Sequence, residues 1–514
     1  MPAPIGAVAG SIVRSARTRQ KSAEAVVPVG SVNREGPNIR RADLWSGSGG
    51  HLDRSHLANA SQPDEEAVNP AEPPAERSDL AVPTASEAQP AGDGELWGEV
   101  FSRPNLFAAL RRVERNHGAP GVDQMTVDGL RPWLKDHWPE VRRQLDEGTY
   151  RPAPVRRVTI PKPDGGEREL GVPTALDRVI QQAIAQVLVP IFDPQFSSQS
   201  FGFRPGRSAH QAVRAARDFV AEGYHWAVDV DLERFFDQVQ HDVLMARVAR
   251  RVSDKRVLRT IRRYLEAGTM VDGVKQASAE GTPQGSPLSP LLSNIMLDDL
   301  DRELERRGHR FVRYADDVRV YVKSQRAGER VLAGITEFLQ QRLKLPVNPK
   351  KSSVQPASTA TILGFGFYFP RGGGVGIRVG DKPVARMRQK VRRLSRRRWR
   401  VTMAVRVEAL NRFIRGWCGY FSLADSSTTF IAADKWLRRR LRQVRWVEWK
   451  VPKARRHNLR KLGMPEADVR RWAGTSKGSW RIAGTLLHRA LPNAYWDAQG
   501  LTGFWVCRHR LRSA

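Results

Sequence analysis

Cysteine is nearly absent from this sequence, which holds only Cys418 and Cys507 among its 514 residues. Two cysteines exclude a disulfide framework and a cysteine-based zinc cluster. They are typical of a reducing compartment, and we expect the cytoplasm. The first 23 residues contain Arg, Lys and Ser but no acid, a composition that leaves import into an organelle as the alternative.

Long apolar runs are also missing. No run approaches the roughly 20 consecutive apolar residues that cross a bilayer, so we expect no membrane-spanning segment and no membrane partner. Hydrophobic residues nevertheless make up 40% of the chain, which is enough for a folded core.

Acidic residues are scarce relative to basic ones. The chain has 54 Asp and Glu against 85 Lys and Arg, for a formal net charge of +31. A protein this basic is typically one that binds a polyanion, most often nucleic acid. A solvated basic surface and a protein at a membrane surface are the alternatives.

Charge and composition divide the chain into a tail and a folded part. Residues 61–95 hold nine acids against one base, Arg77, and are rich in Ala and Pro. This predicts a disordered tail over residues 1–95 that ends in an acidic linker. The rest predicts an α+β fold in three ranges, which are a helical one (96–148), one that mixes strands and helices (149–372), and a basic helical one (383–514).

Two pairs of carboxylates lie where strands are predicted. In "FVRYADDVRVYV", residues 311–322, alternate apolar residues predict a strand, yet Asp316 and Asp317 interrupt it. In "AVDVDLERFFD", Asp229 and Asp231 alternate with valines at the end of another predicted strand. Because neighbours on a straight strand point to opposite faces, we expect Asp316 and Asp317 at a hairpin turn.

Several acids at the ends of adjacent strands indicate a metal site. Mutual repulsion requires cations, and oxygen ligands with open coordination positions favour Mg²⁺. Two such ions, roughly 4 Å apart, are suited to an in-line displacement at phosphorus. The alternative for an isolated Asp-Asp pair is a solvated turn.

Further stretches, in order along the chain, resemble the motifs of reverse transcriptases. They are "IPKPDGGERELGVPTALDRVIQQAI", "SSQSFGFRPGRSAHQAV", "DVDLERFFD", "GTPQGSPLSPLLSNIML", "YADD" and "ILGFGFYF". The set is most similar to that of bacterial group II intron-encoded reverse transcriptase/maturases, over about residues 100 to 500. This resemblance implies a right-hand polymerase, with a helical extension of the fingers over 96–148, fingers and palm over 149–372, and a helical thumb or maturase domain with a basic C-terminal region over 383–514.

The resemblance also assigns the metal ligands. It implies that Asp231 and Asp316 are the principal ligands of two Mg²⁺ ions, that Asp317 is the third carboxylate, and that the main-chain carbonyl of Leu232 completes one coordination shell. We interpret Asp229 as a charge at the edge of the strand.

Nucleotide contacts follow from the same resemblance. Phe236 matches the aromatic residue beneath the sugar, where it would exclude a 2′-hydroxyl. Gln284 and Gly285 match the segment over the incoming nucleotide, and glycine permits a close backbone approach. Lys162 and Arg168 flank the "PDGG" hairpin turn and resemble the cationic pair that holds the triphosphate.

Three more residues complete the site implied by the family. Lys351 matches a lysine that protonates the leaving pyrophosphate, with Lys350 as its competitor. Arg204 and Arg207 resemble contacts to the template or nucleotide.

Residues 386–400 hold nine Arg or Lys, and we expect a basic helix there that binds a phosphate backbone. Arg392, Arg393, Arg396 and Arg397 are the predicted RNA contacts. By resemblance, this region is the thumb that binds the intron RNA.

Many family members end in an HNH endonuclease with paired cysteines. Cys507 has no such partner, so we expect the compact type without the endonuclease.

The predicted protein is a bacterial, cytoplasmic RNA-directed DNA polymerase that uses deoxynucleoside triphosphates, an RNA template and a DNA primer. It would also bind its group II intron RNA to assist splicing and retrotransposition. The alternatives are a free-standing reverse transcriptase recruited to defence or repair and a maturase that only binds RNA. The oligomeric state stays open.

Overall fold

The computed structural model describes residues 95–161, 167–271, 274–276, 280–282 and 285–513. The predicted tail over residues 1–95 lies outside these ranges, apart from Glu95 at the start of the first helix. Lys162, Gln284 and the "PDGG" turn also lie outside the described residues, and so does the side chain of Arg168.

The described residues form eleven strands and nineteen α-helices. The strands are β1 (Val155–Pro161), β2 (Glu167–Val172), β3 (Trp226–Val230), β4 (Thr269–Val271), β5 (Val274–Gln276), β6 (Arg310–Tyr314), β7 (Asp317–Val322), β8 (Ser353–Pro356), β9 (Thr361–Ile362), β10 (Phe365–Tyr368) and β11 (Gly376–Val379). The helices are α1 (Glu95–Val100), α2 (Arg103–Arg115), α3 (Val127–Asp146), α4 (Ala175–Phe192), α5 (Ala209–Ala221), α6 (Phe235–Gln238), α7 (His241–Val248), α8 (Lys255–Glu266), α9 (Ser289–Arg306), α10 (Gln325–Phe338), α11 (Asp381–Leu394), α12 (Met403–Phe421), α13 (Thr428–Glu448), α14 (Pro452–Lys461), α15 (Glu466–Ala473), α16 (Ser479–Gly484), α17 (Leu486–Ala490), α18 (Asn493–Ala498) and α19 (Phe504–Ser513). The mixture confirms the predicted α+β class.

The central sheet carries the two predicted carboxylate strands. Its order is β6-β7-β3-β8, and all three pairings are antiparallel. The register places Val228 opposite Val320 and Val230 opposite Val318, and all four valines are at most 1% exposed. Burial of these alternating residues therefore brings the ends of β3 and β7 side by side.

A second sheet has the order β2-β1-β4-β5, and its strands come before and after β3 of the central sheet in the chain. β1 and β2 pair antiparallel, with Arg156 opposite Val172 at one end and Pro161 opposite Glu167 at the other, which confirms the predicted hairpin. Helix α4 follows β2. It belongs to a segment, Ala175–Gln195, that is long and apolar enough to cross a membrane, contrary to the expectation from apolar runs, but 72% of its apolar window is buried inside the protein. It is therefore a core helix of this fold.

The C-terminal part shares a second apolar core with the central sheet. Strands β9 to β11 form a three-stranded sheet of order β11-β10-β9. Residues of this sheet and of helices such as α12, α13 and α19 form one cluster of buried side chains, to which α5 and the outer face of the central sheet also contribute. This shared packing connects the C-terminal helices to the central sheet.

The predicted basic helix over residues 386–400 is shorter than expected, because α11 ends at Leu394. Ser395 Oγ donates to the Val391 carbonyl (2.5 Å). The buried Arg406 guanidinium donates to three main-chain oxygens of the following loop, those of Leu394 (3.0 Å), Arg396 (3.1 Å) and Trp399 (2.9 Å). These bonds hold the chain in a loop, so the second half of the basic segment is not helical.

Candidate active site

The adjacent acids Asp316 and Asp317 lie at a tight turn. β6 and β7 pair up to Tyr314 opposite Asp317, which leaves only Ala315 and Asp316 between the strands. Ala315 has φ 58°, in the left-handed region that L-residues with a side chain rarely adopt. The predicted hairpin turn is thus confirmed, and the change of backbone direction lets both carboxylates face one cavity.

That cavity has a volume of about 260 Å³ and a largely polar lining. It lies where β3 ends and where β7 begins. Its lining residues are Asp229, Val230, Asp231, Leu232, Asp316, Asp317, Arg319 and Lys351. The three carboxylates predicted as metal ligands are therefore brought together, with Leu232 and Lys351 beside them.

Asp231 is held through its main chain by the segment before β8. The amide of Asn348 donates to the Asp231 carbonyl (2.8 Å), and the amide of Asp231 donates to Ser352 Oγ (3.0 Å). Lys351 Nζ lies 3.8 Å from Asp231 Oδ2. The cavity is lined by Lys351 and not by its competitor Lys350, which favours the assignment of Lys351.

Asp229, which the sequence analysis interpreted only as a charge at the edge of the strand, lines the cavity and has an ion-pair partner. It lies opposite Arg319 in the β3–β7 register, and Arg319 Nη2 lies 3.0 Å from Asp229 Oδ2. The pKa of Asp229 is raised by burial and by the nearby charges of Asp317 and Asp231, although Arg319 acts in the opposite direction. Arg319 Nη2 also lies 3.5 Å from Asp317 Oδ1. Sequence reasoning missed Arg319, although its position on an alternating strand with an acid opposite was the available signal.

The donor set fits a hard divalent cation. Asp231, Asp316 and Asp317 offer only oxygen, and the side chains of Asp231 and Asp317 are 39% and 36% exposed, so a cation from solvent can reach them. In the part of the chain that the structure describes, no three His, Cys, Asp or Glu side chains already converge on one metal position. Instead, Lys351 Nζ lies 3.8 Å from Asp231 Oδ2, and Arg319 Nη2 lies 3.5 Å from Asp317 Oδ1.

Phe236, the predicted sugar residue, lies in α6, shortly after Asp231, and is 9% exposed. Its carbonyl accepts a hydrogen bond from the Thr282 amide (2.6 Å), which joins α6 to the segment before Gly285. Gly285 has φ +109°, and a Cβ there would lie 3.0 Å from the Gly171 carbonyl oxygen on β2. Gly285 therefore approaches the β1–β2 hairpin closely, while its predicted approach to the incoming nucleotide stays a prediction.

The two predicted arginine contacts differ in their surroundings. Arg204 is buried, and its guanidinium donates to Asp193 Oδ1 (2.7 Å) and to the carbonyls of Ser197 (2.6 Å) and Ser200 (2.9 Å). This geometry gives Arg204 a structural role in place of the predicted nucleic-acid contact, because its donors are used inside the protein. Arg207 is half-buried and lies over the Phe201 ring at 5.7 Å.

An exposed aromatic residue near the turn was missed by sequence reasoning. Phe203 is 51% exposed and has φ 61°, an unusual conformation for a bulky residue. Its neighbour Gly202 packs against the turn, since a Cβ there would lie 2.3 Å from the Ala315 amide nitrogen. The signal in the sequence was an aromatic residue directly after this glycine.

The four predicted RNA-binding arginines are all exposed. Arg392 and Arg440 both lie near the Trp436 ring, with guanidinium carbons 5.8 and 5.4 Å from its centroid. Burial lowers the pKa of Arg440, and the positive charges of Arg392 and Arg397 lower it further. The surface around α11 and its following loop therefore concentrates like charge, which an anionic partner would relieve.

Comparison with known families agrees with this geometry. Residues 160–367, which contain the cavity, match the family "Reverse transcriptase (RNA-dependent DNA polymerase)", so this part of the chain is a reverse transcriptase domain. Residues 384–463 match "Group II intron, maturase-specific domain". A reverse transcriptase domain followed by a maturase-specific domain is the arrangement of the group II intron-type reverse transcriptase/maturases, as the motifs predicted.

Individual proteins are similar over a shorter range. Protein YkfC of Escherichia coli (strain K12) is 37% identical over 215 residues, 40% of this chain and 56% of that protein. Group II intron-encoded protein LtrA of Lactococcus lactis subsp. cremoris is 35% identical over 216 residues, 40% of this chain and 35% of that protein. A solved structure, "Partial Cas6-RT-Cas1--Cas2 complex", matches 47% of this chain and 42% of that chain at 27% identity, with a TM-score of 0.31. The chain thus spans between about a third and just over half of the length of these two curated relatives.

Proposed function

We propose that this protein is an RNA-directed DNA polymerase encoded by a mobile group II intron. The observation that carries the proposal is the gathering of Asp231, Asp316 and Asp317 around one cavity, within the range that matches reverse transcriptases. A protein that only binds RNA has no need for three carboxylates in one half-open cavity, where their repulsion is costly.

In the proposed reaction, the 3′-hydroxyl of a DNA primer attacks the α-phosphate of a deoxynucleoside triphosphate paired to an RNA template, and pyrophosphate leaves. Two Mg²⁺ ions, held by Asp231, Asp316, Asp317 and the carbonyl of Leu232, would when bound neutralise charge on the attacking and leaving oxygens. Lys351, 3.8 Å from Asp231, is in place to give a proton to the leaving pyrophosphate. Phe236 closes the sugar pocket.

The second part of the proposal concerns intron RNA. The maturase-specific range contains Arg392, Arg393, Arg396 and Arg397, and their exposure suits contacts with phosphates. We propose that this surface binds the intron RNA for splicing and retrotransposition. The bacterial cytoplasm is the proposed location, and the two buried cysteines, which form no disulfide, fit a reducing compartment.

The polymerase activity is tested with Asp316→Asn, since asparagine keeps the side chain's shape but removes its charge. Primer extension on an RNA template should fall by at least about 10²-fold, because charge stabilisation worth several kcal/mol is lost. RNA binding should stay nearly unchanged. Asp218→Asn is the matched control, because Asp218 is an exposed acid on α5 that pairs with Arg217. Extension by Asp316→Asn within a few-fold of wild type would remove the basis of the proposal.

The maturase activity needs a separate assay. A transcript of the DNA that surrounds the gene should splice faster when the purified protein is added. If no surrounding RNA responds while primer extension is normal, the protein is a free-standing reverse transcriptase.

A further inference from the structure

One arginine under the Asp316–Asp317 turn has a role that the motifs do not assign. Arg313 lies on β6, two residues before Ala315, and its side chain is 0% exposed. It forms an ion pair with the equally buried Asp301 of α9, with Nε 2.7 Å from Asp301 Oδ1 and Nη2 2.5 Å from Asp301 Oδ2. A buried ion pair is weak evidence for stability, because desolvation offsets its attraction. Its value here lies in what it orients.

The remaining donor of Arg313 reaches the turn itself. Nη1 donates to the Ala315 carbonyl (3.0 Å) and to Asn294 Oδ1 (2.8 Å). The Ala315 carbonyl belongs to the peptide that joins Ala315 to Asp316. Because Ala315 is left-handed at φ 58°, a conformation that is unfavourable for a residue with a Cβ, this peptide needs an external contact to hold its orientation.

The opposite side of the turn is enclosed by the segment that contains Gly202. A Cβ on Gly202 would lie 2.3 Å from the Ala315 nitrogen, so only glycine fits. Asn294 Nδ2 donates to the Gly202 carbonyl (3.0 Å), while its Oδ1 accepts from Arg313. The Phe201 amide donates to the Arg313 carbonyl (2.9 Å). Asn294 therefore links the two contacts that enclose the turn.

We propose that Arg313, oriented by Asp301 and Asn294, is a positioning residue that fixes the Ala315–Asp316 peptide so that Asp316 and Asp317 face the cavity. The proposal rests on the proposed polymerase function. In this role Arg313 touches neither substrate nor metal, and the role differs from general stabilisation in one measurable way. Removal of the Arg313 hydrogen bond to the turn should weaken cation binding at the carboxylates more than it weakens folding.

Three variants disturb the turn by different routes. Arg313→Lys keeps the charge but cannot reach Asp301, Asn294 and the Ala315 carbonyl together. Asn294→Ala removes the link and leaves the ion pair. Gly202→Ala displaces the Ala315 amide and leaves both the Asn294 link and the ion pair in place. Arg247→Lys is the control, because Arg247 also pairs with an acid on α9, Asp299 (2.9 Å), but does not contact the turn.

Mn²⁺ binding to the full-length protein without nucleic acid, followed by electron paramagnetic resonance, is the primary readout. The three turn variants should bind Mn²⁺ about tenfold or more weakly, as expected when a metal ligand loses its support. Their primer extension should fall on the order of 10²-fold, as for a displacement of about 1 Å. RNA binding should be unchanged. Arg247→Lys should lower the melting temperature and keep Mn²⁺ affinity.

The outcomes distinguish failure of the positioning role from failure of the proposed polymerase function. If wild type binds Mn²⁺ and extends primers while the turn variants match Arg247→Lys in both assays, the positioning role is wrong and the polymerase function stands. If wild type itself does neither, the proposed function fails, and the positioning role fails with it. Should Arg313→Lys not fold, Gly202→Ala and Asn294→Ala decide the result, because both retain the ion pair.

Discussion

Asp229 on β3 and Arg319 on the neighbouring strand β7 are directly opposite in the strand register. Their side chains form an ion pair of 3.0 Å in the lining of the carboxylate cavity. Arg319 Nη2 lies only 3.5 Å from Asp317 Oδ1 as well. The side chain of Arg319 is 9% exposed, so it must be paired inside the protein. Asp229 therefore shares the Arg319 guanidinium with Asp317, a predicted metal ligand.

This sharing predicts the effect of Asp229→Asn. Without the charge of Asp229, Arg319 should move closer to Asp317 and compete with Mg²⁺ for its carboxylate. The Mg²⁺ concentration for half-maximal primer extension should rise by up to about tenfold, since a charged hydrogen bond is worth roughly 1.5 kcal/mol. Activity at saturating Mg²⁺ should recover most of its wild-type value. A Mg²⁺ titration measures both quantities, and an unchanged titration curve would show that Arg319 does not reach Asp317 in solution.

The burial of Phe236 beside Asp231 predicts control of sugar choice. Phe236→Val should admit ribonucleotides, because the smaller side chain leaves room for a 2′-hydroxyl. The ratio of ribonucleotide to deoxynucleotide incorporation, measured by kcat/KM for each, should increase. Phe235→Leu is the control, since Phe235 is the neighbouring buried ring. An equal ratio in Phe236→Val and wild type would make Phe236 a core residue only.

The exposed arginines after and within α11 predict a salt-dependent RNA affinity. Replacing Arg392, Arg393, Arg396 and Arg397 with Gln should weaken binding to all RNA sequences alike. The log–log salt slope should flatten by about 0.7 for each phosphate that the variant no longer neutralises on single strands, and by more on duplex. Extension of a saturating primer–template should change little, because these residues lie outside the cavity.

The control for that prediction removes four surface arginines that already pair with acids, namely Arg131, Arg142, Arg143 and Arg306. Both proteins then have the same net charge. If the two slopes change equally, the RNA affinity follows overall charge and the basic segment is only a solvated face.

The exposed ring of Phe203 predicts a stacking contact. It lies beside Gly202, which packs on the catalytic turn, and base–aromatic stacking is worth about 1–3 kcal/mol. Phe203→Ala should therefore weaken primer–template binding by about that amount, measured by fluorescence anisotropy. Phe107→Ala, at another exposed phenylalanine on α2, should have no effect. Equal affinities for Phe203→Ala and wild type would contradict this role.

Several features of the site could be predicted from local sequence. Asp316 and Asp317 interrupt an alternating strand, which predicted a hairpin turn, and the structure has that turn. The valines of β3 and β7 predicted their strands because they recur at every second residue, and β-branched residues favour strands. Gly285 was predicted to need the conformational freedom of glycine, and its φ of +109° agrees. In each case the physical cause acts over a few residues, so it is visible in the sequence.

Other features depended on contacts between distant segments. Arg204 looks like a free cation in "FRPGRS", but packing against Asp193 and two carbonyls makes it structural. The basic segment looks like one helix, but Arg406 ends it by binding the carbonyls of the next loop. Composition records the charge of these residues and not the partners that satisfy it.

The sequence by itself therefore determined the class of this protein, its α+β fold and the three carboxylates, because its motifs resemble those of reverse transcriptases and the reaction constrains the residue types within each motif. Only the tertiary structure decided how the carboxylates are held. Arg313, Asn294 and Gly202 meet the Ala315 peptide from separate parts of the chain. Their roles follow from burial, since a polar group taken from water must find a partner, and that partner is chosen by the packing of the whole domain.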